Sequence, residues 1–279
     1  MKKLVLSAFF ILAISLLSAH EFWLAPDKYF YNIRDIALIR FRVGENFTGD
    51  NWGGNKERIK QFTHYLPDGS KADLSDRLSM QKGDSARIPL QMAGTHMIIF
   101  NSTNSKIELD AEKFTDYLQE DGLESAIAYR SKYGETGKKG REFYQRSVKT
   151  IIQVGSTLTD ACTKPCDLPL DIIPFENPYT SPGIEPRGNL LTVRFKVLFK
   201  GKTLANQLVK IWYKDEQGIK KMTEYRTNNR GIISAKRYSG PFMVSTVYME
   251  RLSENPDADW QSYWASLNFE YSSFYSSGR

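Results

Sequence analysis

The residues of this chain whose types best suit chemistry are its three histidines, His20, His64 and His96. If a signal peptide is removed after Ala19, the α-amine and the ring Nδ1 of His20 can hold one metal ion in a six-membered chelate ring. An α-amine has a pKa of about 7.7–8.0, so a metal ion displaces its proton readily near neutral pH. A second imidazole would complete the nitrogen-rich, roughly planar site that suits Cu(II) or Ni(II).

Among the two remaining histidines, His96 is our first choice of partner for His20, and His64 is the second. The alternative is that His96 is half-buried and hydrogen-bonded, that His64 lies on the surface and that His20 only follows the signal. For a lone histidine such a role is commoner than metal ligation. The position of His20 at the expected cleavage site favours the metal hypothesis. We therefore predict a Ni, Co or Cu site formed by His20, His96 and His64.

Other motifs with chemical meaning are weaker. The sequence has no Gly-rich phosphate loop, no Gly-x-Ser-x-Gly and no His-Glu-x-x-His. Three residues separate Cys162 from Cys166, which favours a local disulfide in an oxidising compartment over a thioredoxin-type pair, whose cysteines are separated by two residues. Trp260 and Trp264 could form a sugar-binding platform, but aromatic residues at this spacing are more often core.

The amino-terminal segment has the three parts of a secretory signal. Lys2 and Lys3 precede an apolar run at 4–17, and Ser18-Ala19 supplies small residues for cleavage. The run is shorter than the roughly 20 residues of a membrane-spanning helix. We predict that residues 1–19 are removed, that the mature protein is periplasmic or secreted, and that it has no transmembrane span.

Composition excludes several classes of protein. Apolar residues make up 41% of the chain and charged residues 25%, as in globular proteins. The formal net charge of +6 comes from lysines and arginines scattered among acidic residues rather than from a long basic run. Nucleic acid is therefore not an expected partner.

Short apolar runs separated by Gly, Pro and Asp predict a mainly β fold. Strands are expected at 35–43, 58–66, 85–90, 96–100 and 149–154, and, in a second part, at 190–199, 207–213, 220–226, 232–236, 242–249 and 259–270. Helical periodicity between about 110 and 148 predicts a small insert that ends in a helical turn at 141–148.

We predict two antiparallel β-sandwich domains. The first covers 20–176 and contains the helical insert, and the second, at 190–270, is immunoglobulin- or transthyretin-like because its turns recur every 8–12 residues. A Pro- and Gly-rich linker at 177–189 would join them, and 271–279 would be a tail.

Several segments resemble a family of exported bacterial proteins of unknown function that is associated with nickel uptake, the NikM/NikK-like extracytoplasmic proteins. They cover nearly the whole mature chain: His20-Glu-Phe-Trp-Leu-Ala-Pro26, Ala93-Gly-Thr-His96, 113–123, 141–149, 201–206 and 259–269. The resemblance implies periplasmic handling of a transition metal and a β-rich, two-part fold. It does not identify ligands.

Three functions are carried forward from the sequence. The first is a periplasmic metal-binding protein that delivers Ni, Co or Cu to a membrane transporter. On this hypothesis the protein is a binding protein rather than an enzyme. The second is a non-enzymatic envelope module that binds glycan or protein without metal. The third is a copper oxidase of polysaccharides that uses the same histidines.

Overall fold

The computed structural model describes residues 21–79, 83–180, 192–215 and 217–271. The predicted signal peptide at 1–19, most of the predicted linker and nearly all of the predicted tail lie outside these residues. Within them, no helix is long and apolar enough to cross a bilayer.

Most of the described chain is β-strand. The strands before the predicted linker are β1 (Glu21–Pro26), β2 (Phe30–Tyr31), β3 (Ile36–Glu45), β4 (Thr48–Asn51), β5 (Ile59–Tyr65), β6 (Lys71–Asp73), β7 (Ser85–Pro89), β8 (Gly94–Ser102), β9 (Ser105–Leu109), β10 (Gly140–Val154) and β11 (Leu170–Pro174). Those after it are β12 (Thr192–Phe199), β13 (Lys202–Thr203), β14 (Leu208–Lys214), β15 (Lys220–Arg226), β16 (Ile232–Lys236), β17 (Gly240–Arg251) and β18 (Trp260–Tyr271).

The helices are few and short. The two α-helices are α1 (Ala111–Glu120) and α2 (Glu124–Lys132), and single 3-10 turns lie at Lys56–Arg58, Ser75–Arg77 and Ala161–Thr163. Phe114, Tyr117 and Leu118 form the buried face of α1 at the expected i, i+3, i+4 spacing. The helix ends where Gly122 adopts a positive φ, and the Leu123 amide donates back to the Leu118 carbonyl. The first two helices of the predicted insert are confirmed.

Three sheets organise the strands. The largest has ten strands in the order β15-β14-β17-β18-β10-β8-β5-β6, with β2 and β9 also paired to β10. Two four-stranded sheets consist of β1-β3-β4 with β7, and of β11-β12-β13 with β16. Nearly all pairings are antiparallel, so the prediction of a mainly β, sandwich-type fold is confirmed.

The large sheet is covered on both faces. Alternate residues of β8 and β10 enter two different cores: Ile98 and Ile152 pack with the β1 sheet, whereas Ile99 and Ile151 pack with the β11–β12 sheet. This double burial explains why β8 is apolar on both faces, since a strand between two layers has no solvent side. The helices pack on the β1 side, over the buried rings of Trp260 and Trp264, so these rings are core.

The most consequential difference from the sequence prediction concerns β10. The predicted helical turn at 141–148 is wrong, because 140–154 forms one continuous strand. It pairs with β9 and β8 antiparallel and with β18 parallel, where Arg146 lies opposite Trp264. These partners come from distant sequence, so local periodicity did not reveal them. The parallel pair also places strands of both predicted domains in one sheet, and the domain boundaries stay a prediction.

Candidate histidine site and relation to known proteins

His64 and His96 lie on neighbouring strands of the large sheet. In the antiparallel register of β5 and β8, His64 pairs with Ile98, so His96 is its diagonal neighbour on the same face. Phe62 and Phe100 occupy that face further along and pack against the β1 sheet. The two imidazoles therefore lie between sheets. Both residues are buried, with 4% of the surface of His64 and 1% of that of His96 exposed to solvent.

The two rings face each other through nitrogen atoms. His64 Nε2 lies 2.7 Å from His96 Nδ1, and the ring centroids are 4.9 Å apart. The other nitrogen of His96, Nε2, lies 2.9 Å from the Met92 carbonyl oxygen. A carbonyl oxygen only accepts, so Nε2 of His96 carries the proton and Nδ1 presents a lone pair toward His64.

Burial keeps both imidazoles neutral. Desolvation, followed by the nearby His96, lowers the pKa of His64 to about 3. Desolvation also lowers the pKa of His96, against the opposing effect of its bond to the Met92 carbonyl. Near neutral pH a proton therefore does not compete for the nitrogen lone pairs.

This geometry fits two chemical arrangements. One is a direct hydrogen bond from His64 Nε2 to His96 Nδ1. The other is joint ligation, since two nitrogens each about 2.0–2.1 Å from one ion and at right angles would be about 2.9 Å apart. In metal sites a ligating imidazole commonly donates its other N–H to a backbone carbonyl, as His96 does to Met92.

The third predicted ligand, His20, lies outside the described residues, and its membership of the site stays a prediction. The structure places the start of β1 near Phe100, because the Phe22 ring lies 5.0 Å from the Phe100 ring. His96 precedes Phe100 by four residues of an extended strand, about 13 Å. Across the described part of the chain, no group of three His, Cys, Asp or Glu residues is arranged to hold a metal ion.

The cysteines carry free thiols, so the predicted disulfide between Cys162 and Cys166 is not formed in the structure. Cys162 is buried on the third 3-10 turn and Cys166 is partly buried. Burial raises the pKa of each thiol to about 12, although Lys149 opposes the effect. Protonated thiols exchange slowly with disulfides.

A second polar cluster was missed by the sequence analysis. Glu21, Asp121 and Glu142 are buried together on the helix side of the large sheet. Glu142 was not recognised because a helical turn was predicted at 141–148. The alternate spacing of Glu142, Tyr144 and Arg146 could have indicated that these residues share one face of a strand.

Comparison with known proteins shows the family. A family described as a domain of unknown function (DUF4198) matches residues 17–250, and the chain belongs to it. This membership supports the recognition of a family of unknown function, while the association with nickel uptake stays a prediction. A comparison with curated proteins finds no match.

Solved structures show only distant likeness. A DUF4785 family protein from Legionella pneumophila is 9% identical with a TM-score of 0.25, and the match covers 79% of this chain and 50% of that one. The D0-D1 domain of Intimin is 12% identical over 88% of this chain and 97% of that one, with a TM-score of 0.21. A tandem repeat of a large adhesion protein is 8% identical over 90% and 49%, with a TM-score of 0.19. Scores this low carry no argument about function.

Proposed function

We propose that this DUF4198 family member is an envelope protein that binds a first-row transition-metal ion, Ni, Co or Cu, through His64 and His96 and delivers it to a membrane transporter. The observation that carries the proposal is the 2.7 Å approach of His64 Nε2 to His96 Nδ1. The bond from His96 to the Met92 carbonyl supports it by fixing the ring with Nδ1 toward His64.

The choice of metal follows from the donor atoms. Neutral imidazole suits Cu, Ni and Co, and the depressed pKa of His64 keeps its lone pair available. Two imidazoles fill only two coordination positions of such an ion, and His20 as a further ligand stays a prediction.

The test is metal titration of the chain that begins at His20. Calorimetry with Ni(II), Co(II) and Cu(II) is expected to give one tight site in the wild type and at least 100-fold weaker binding in His96→Gln and His64→Gln. Lys60→Ala, an exposed change on the same strand as His64, is the matched control and is expected to bind as the wild type does. Unchanged binding in both histidine variants would overturn the proposal.

A second form of the protein separates the imidazole pair from the amino-terminal chelate. Retaining Ala19 blocks the α-amine of His20 without altering His64 or His96. If the pair holds the ion, this form keeps binding. If the extension alone abolishes binding while both Gln variants retain it, the metal is held at the amino terminus and the pair is a hydrogen-bonded core feature.

A further inference from the structure

On its β1 side, the large sheet carries a buried acidic cluster formed by Glu21, Asp121 and Glu142. The β1 sheet covers one end of this face and the helices cover the other. Glu21 starts β1, Asp121 follows α1 and Glu142 lies on β10. The cluster therefore lies where the two covering layers meet the same sheet, and none of its three residues is more than 6% exposed.

Glu142 has one satisfied oxygen and one that lacks a partner. Its Oε1 accepts from the Ser262 hydroxyl and, at 3.3 Å, from the Tyr117 hydroxyl. The Trp264 indole donates to Ser262 Oγ at 3.0 Å, which leaves the single Ser262 proton for Glu142. Glu142 Oε2 is buried and has no hydrogen-bond partner. A buried carboxylate oxygen without a donor is costly, so it points to a group that supplies one.

The other two carboxylates have donors. Glu21 Oε1 accepts from the Ser245 hydroxyl at 2.9 Å, and Ser245 in turn accepts from the Trp212 indole at 2.9 Å. Asp121 Oδ1 accepts from Lys210 Nζ at 2.6 Å. The carboxylate oxygen of the cluster that still lacks a hydrogen-bond donor is therefore Glu142 Oε2.

The charges of the cluster do not balance. Among the described residues, the cluster contains three carboxylates but only two cations, Lys210 and Arg146. The Arg146 guanidinium lies 5.1 Å from the centroid of the Phe22 ring. Burial and, to a smaller extent, the charge of Asp121 raise the pKa of both Glu21 and Glu142 to about 7. One additional positive charge would neutralise the cluster when all three carboxylates are ionised.

We propose that the acidic cluster is a receptor for one alkylammonium group, which donates to Glu142 Oε2. An ammonium group supplies both the missing donor and the missing charge.

Two sources can supply this group. One is the α-ammonium that signal-peptide removal is expected to create, one residue from Glu21 in sequence. The other is a small alkylamine from solution. The first source and an amino-terminal metal chelate exclude each other, since a protonated amine has no lone pair for a metal. The receptor is otherwise independent of the proposed metal site, whose imidazoles lie on β5 and β8.

The experiment compares the chain that begins at His20 with Glu142→Gln, and uses Glu120→Gln, an exposed carboxylate at the end of α1, as control. If Glu142 holds a cation, its isosteric neutral replacement is expected to lower Tm by about 3 °C or more, whereas removing an unpaired buried charge would raise Tm. With methylammonium present throughout, so that either source can fill the receptor, an unchanged or raised Tm in Glu142→Gln overturns the proposal.

Two further measurements identify the source. If the ammonium group is the chain's own, acylation of the α-amine at neutral pH is expected to be at least threefold slower than in a form that retains Ala19, and Glu142→Gln is expected to abolish the difference. If it comes from solution, methylammonium is expected to raise Tm in the wild type and in Glu120→Gln only. Both measurements can be made on the wild type if Glu142→Gln does not fold, and their joint failure overturns the proposal.

Discussion

His64 and His96 show how burial sets the chemical state of single residues. Both imidazoles have lowered pKa values, and the pKa of His64 falls to about 3. Their neutral rings suit either a hydrogen bond or metal ligation, while protonation of either ring would place an unpaired charge between two sheets. The structure therefore predicts that protonation of this histidine pair contributes to the loss of stability at low pH, in addition to protonation of carboxylates.

As the pH is lowered, His64 is expected to decrease the free energy of unfolding. Its pKa is about 6.5 when unfolded and about 3 when folded, so below pH 6.5 the unfolded chain binds the proton preferentially. Between pH 6.5 and pH 5 this contribution amounts to about 2 kcal/mol. Urea unfolding of metal-free wild type and His64→Gln across this range measures it as the difference between the two curves.

Comparison with the variant is necessary because Glu21 and Glu142 act in the opposite direction. Their folded pKa values of about 7 exceed those of unfolded glutamates, so they add stability as pH falls from 7 toward 4.5. This contribution is common to wild type and variant. Parallel curves for the two proteins would show that His64 is not the titrating group.

Gly140 shows how one residue determines the contact between elements. It begins β10, and a Cβ at this position would overlap the ring of Phe114, the fully buried residue of α1. The Arg130 guanidinium also lies over the Phe114 ring, 4.8 Å from its centroid. The helix can approach the strand only because position 140 has no side chain.

Gly140→Ala is expected to destabilise the protein by about 1–3 kcal/mol, since the ring or the helix must move. Gly137→Ala is the matched control, because a Cβ at Gly137 would meet nothing within 4 Å. Denaturant unfolding measures both. Equal stability of the two variants would mean that α1 moves away from β10 without loss.

An ion pair joins elements of two layers. Lys149 Nζ on β10 lies 2.5 Å from Asp171 Oδ1 on β11, and both side chains are almost fully buried. The second oxygen of Asp171 accepts from the Cys166 amide. The pair therefore links the large sheet to the β11–β12 sheet and also fixes the loop that carries the cysteines.

Lys149→Met is expected to cost about 3–5 kcal/mol, because it leaves the Asp171 carboxylate buried without its cation. Lys149→Met/Asp171→Asn is expected to recover a large part of this loss, since asparagine is neutral and still accepts from Cys166. Unfolding of both variants provides the measurement, and a double variant that is no more stable than the single one would contradict the expectation.

At the scale of the whole molecule, the parallel pairing of β10 with β18 joins the two halves of the chain. Nine residues of β10, from Glu142 to Thr150, have partners in β18. β11, which precedes the predicted linker, pairs with β12, which follows it. Division at the predicted linker would therefore cut through two sheets rather than between two cores.

Separate chains covering 20–176 and 190–270 are expected to be unfolded or aggregated alone and to form a soluble complex when expressed together. Each fragment exposes apolar sheet surface and unpaired strand edges. Circular dichroism, NMR dispersion and copurification test this. Cooperative unfolding of each isolated fragment would instead support two independent domains.

The amino-acid sequence by itself determined the β-rich class, the two helices and the approximate bounds of most strands, because these follow from local periodicity and turn residues. Helix α1, for example, is readable from Phe114, Tyr117 and Leu118 alone. The sequence also singled out His64 and His96 by type.

Only the tertiary structure decided which of these residues meet. The approach of His64 to His96 depends on the register of β5 against β8, the continuity of β10 depends on its pairing with β18, and the burial of Glu142 depends on α1 packing above it. All three are contacts between residues distant in sequence. Hydrogen-bond register and layer packing set them, and neither is encoded within a local window of side chains.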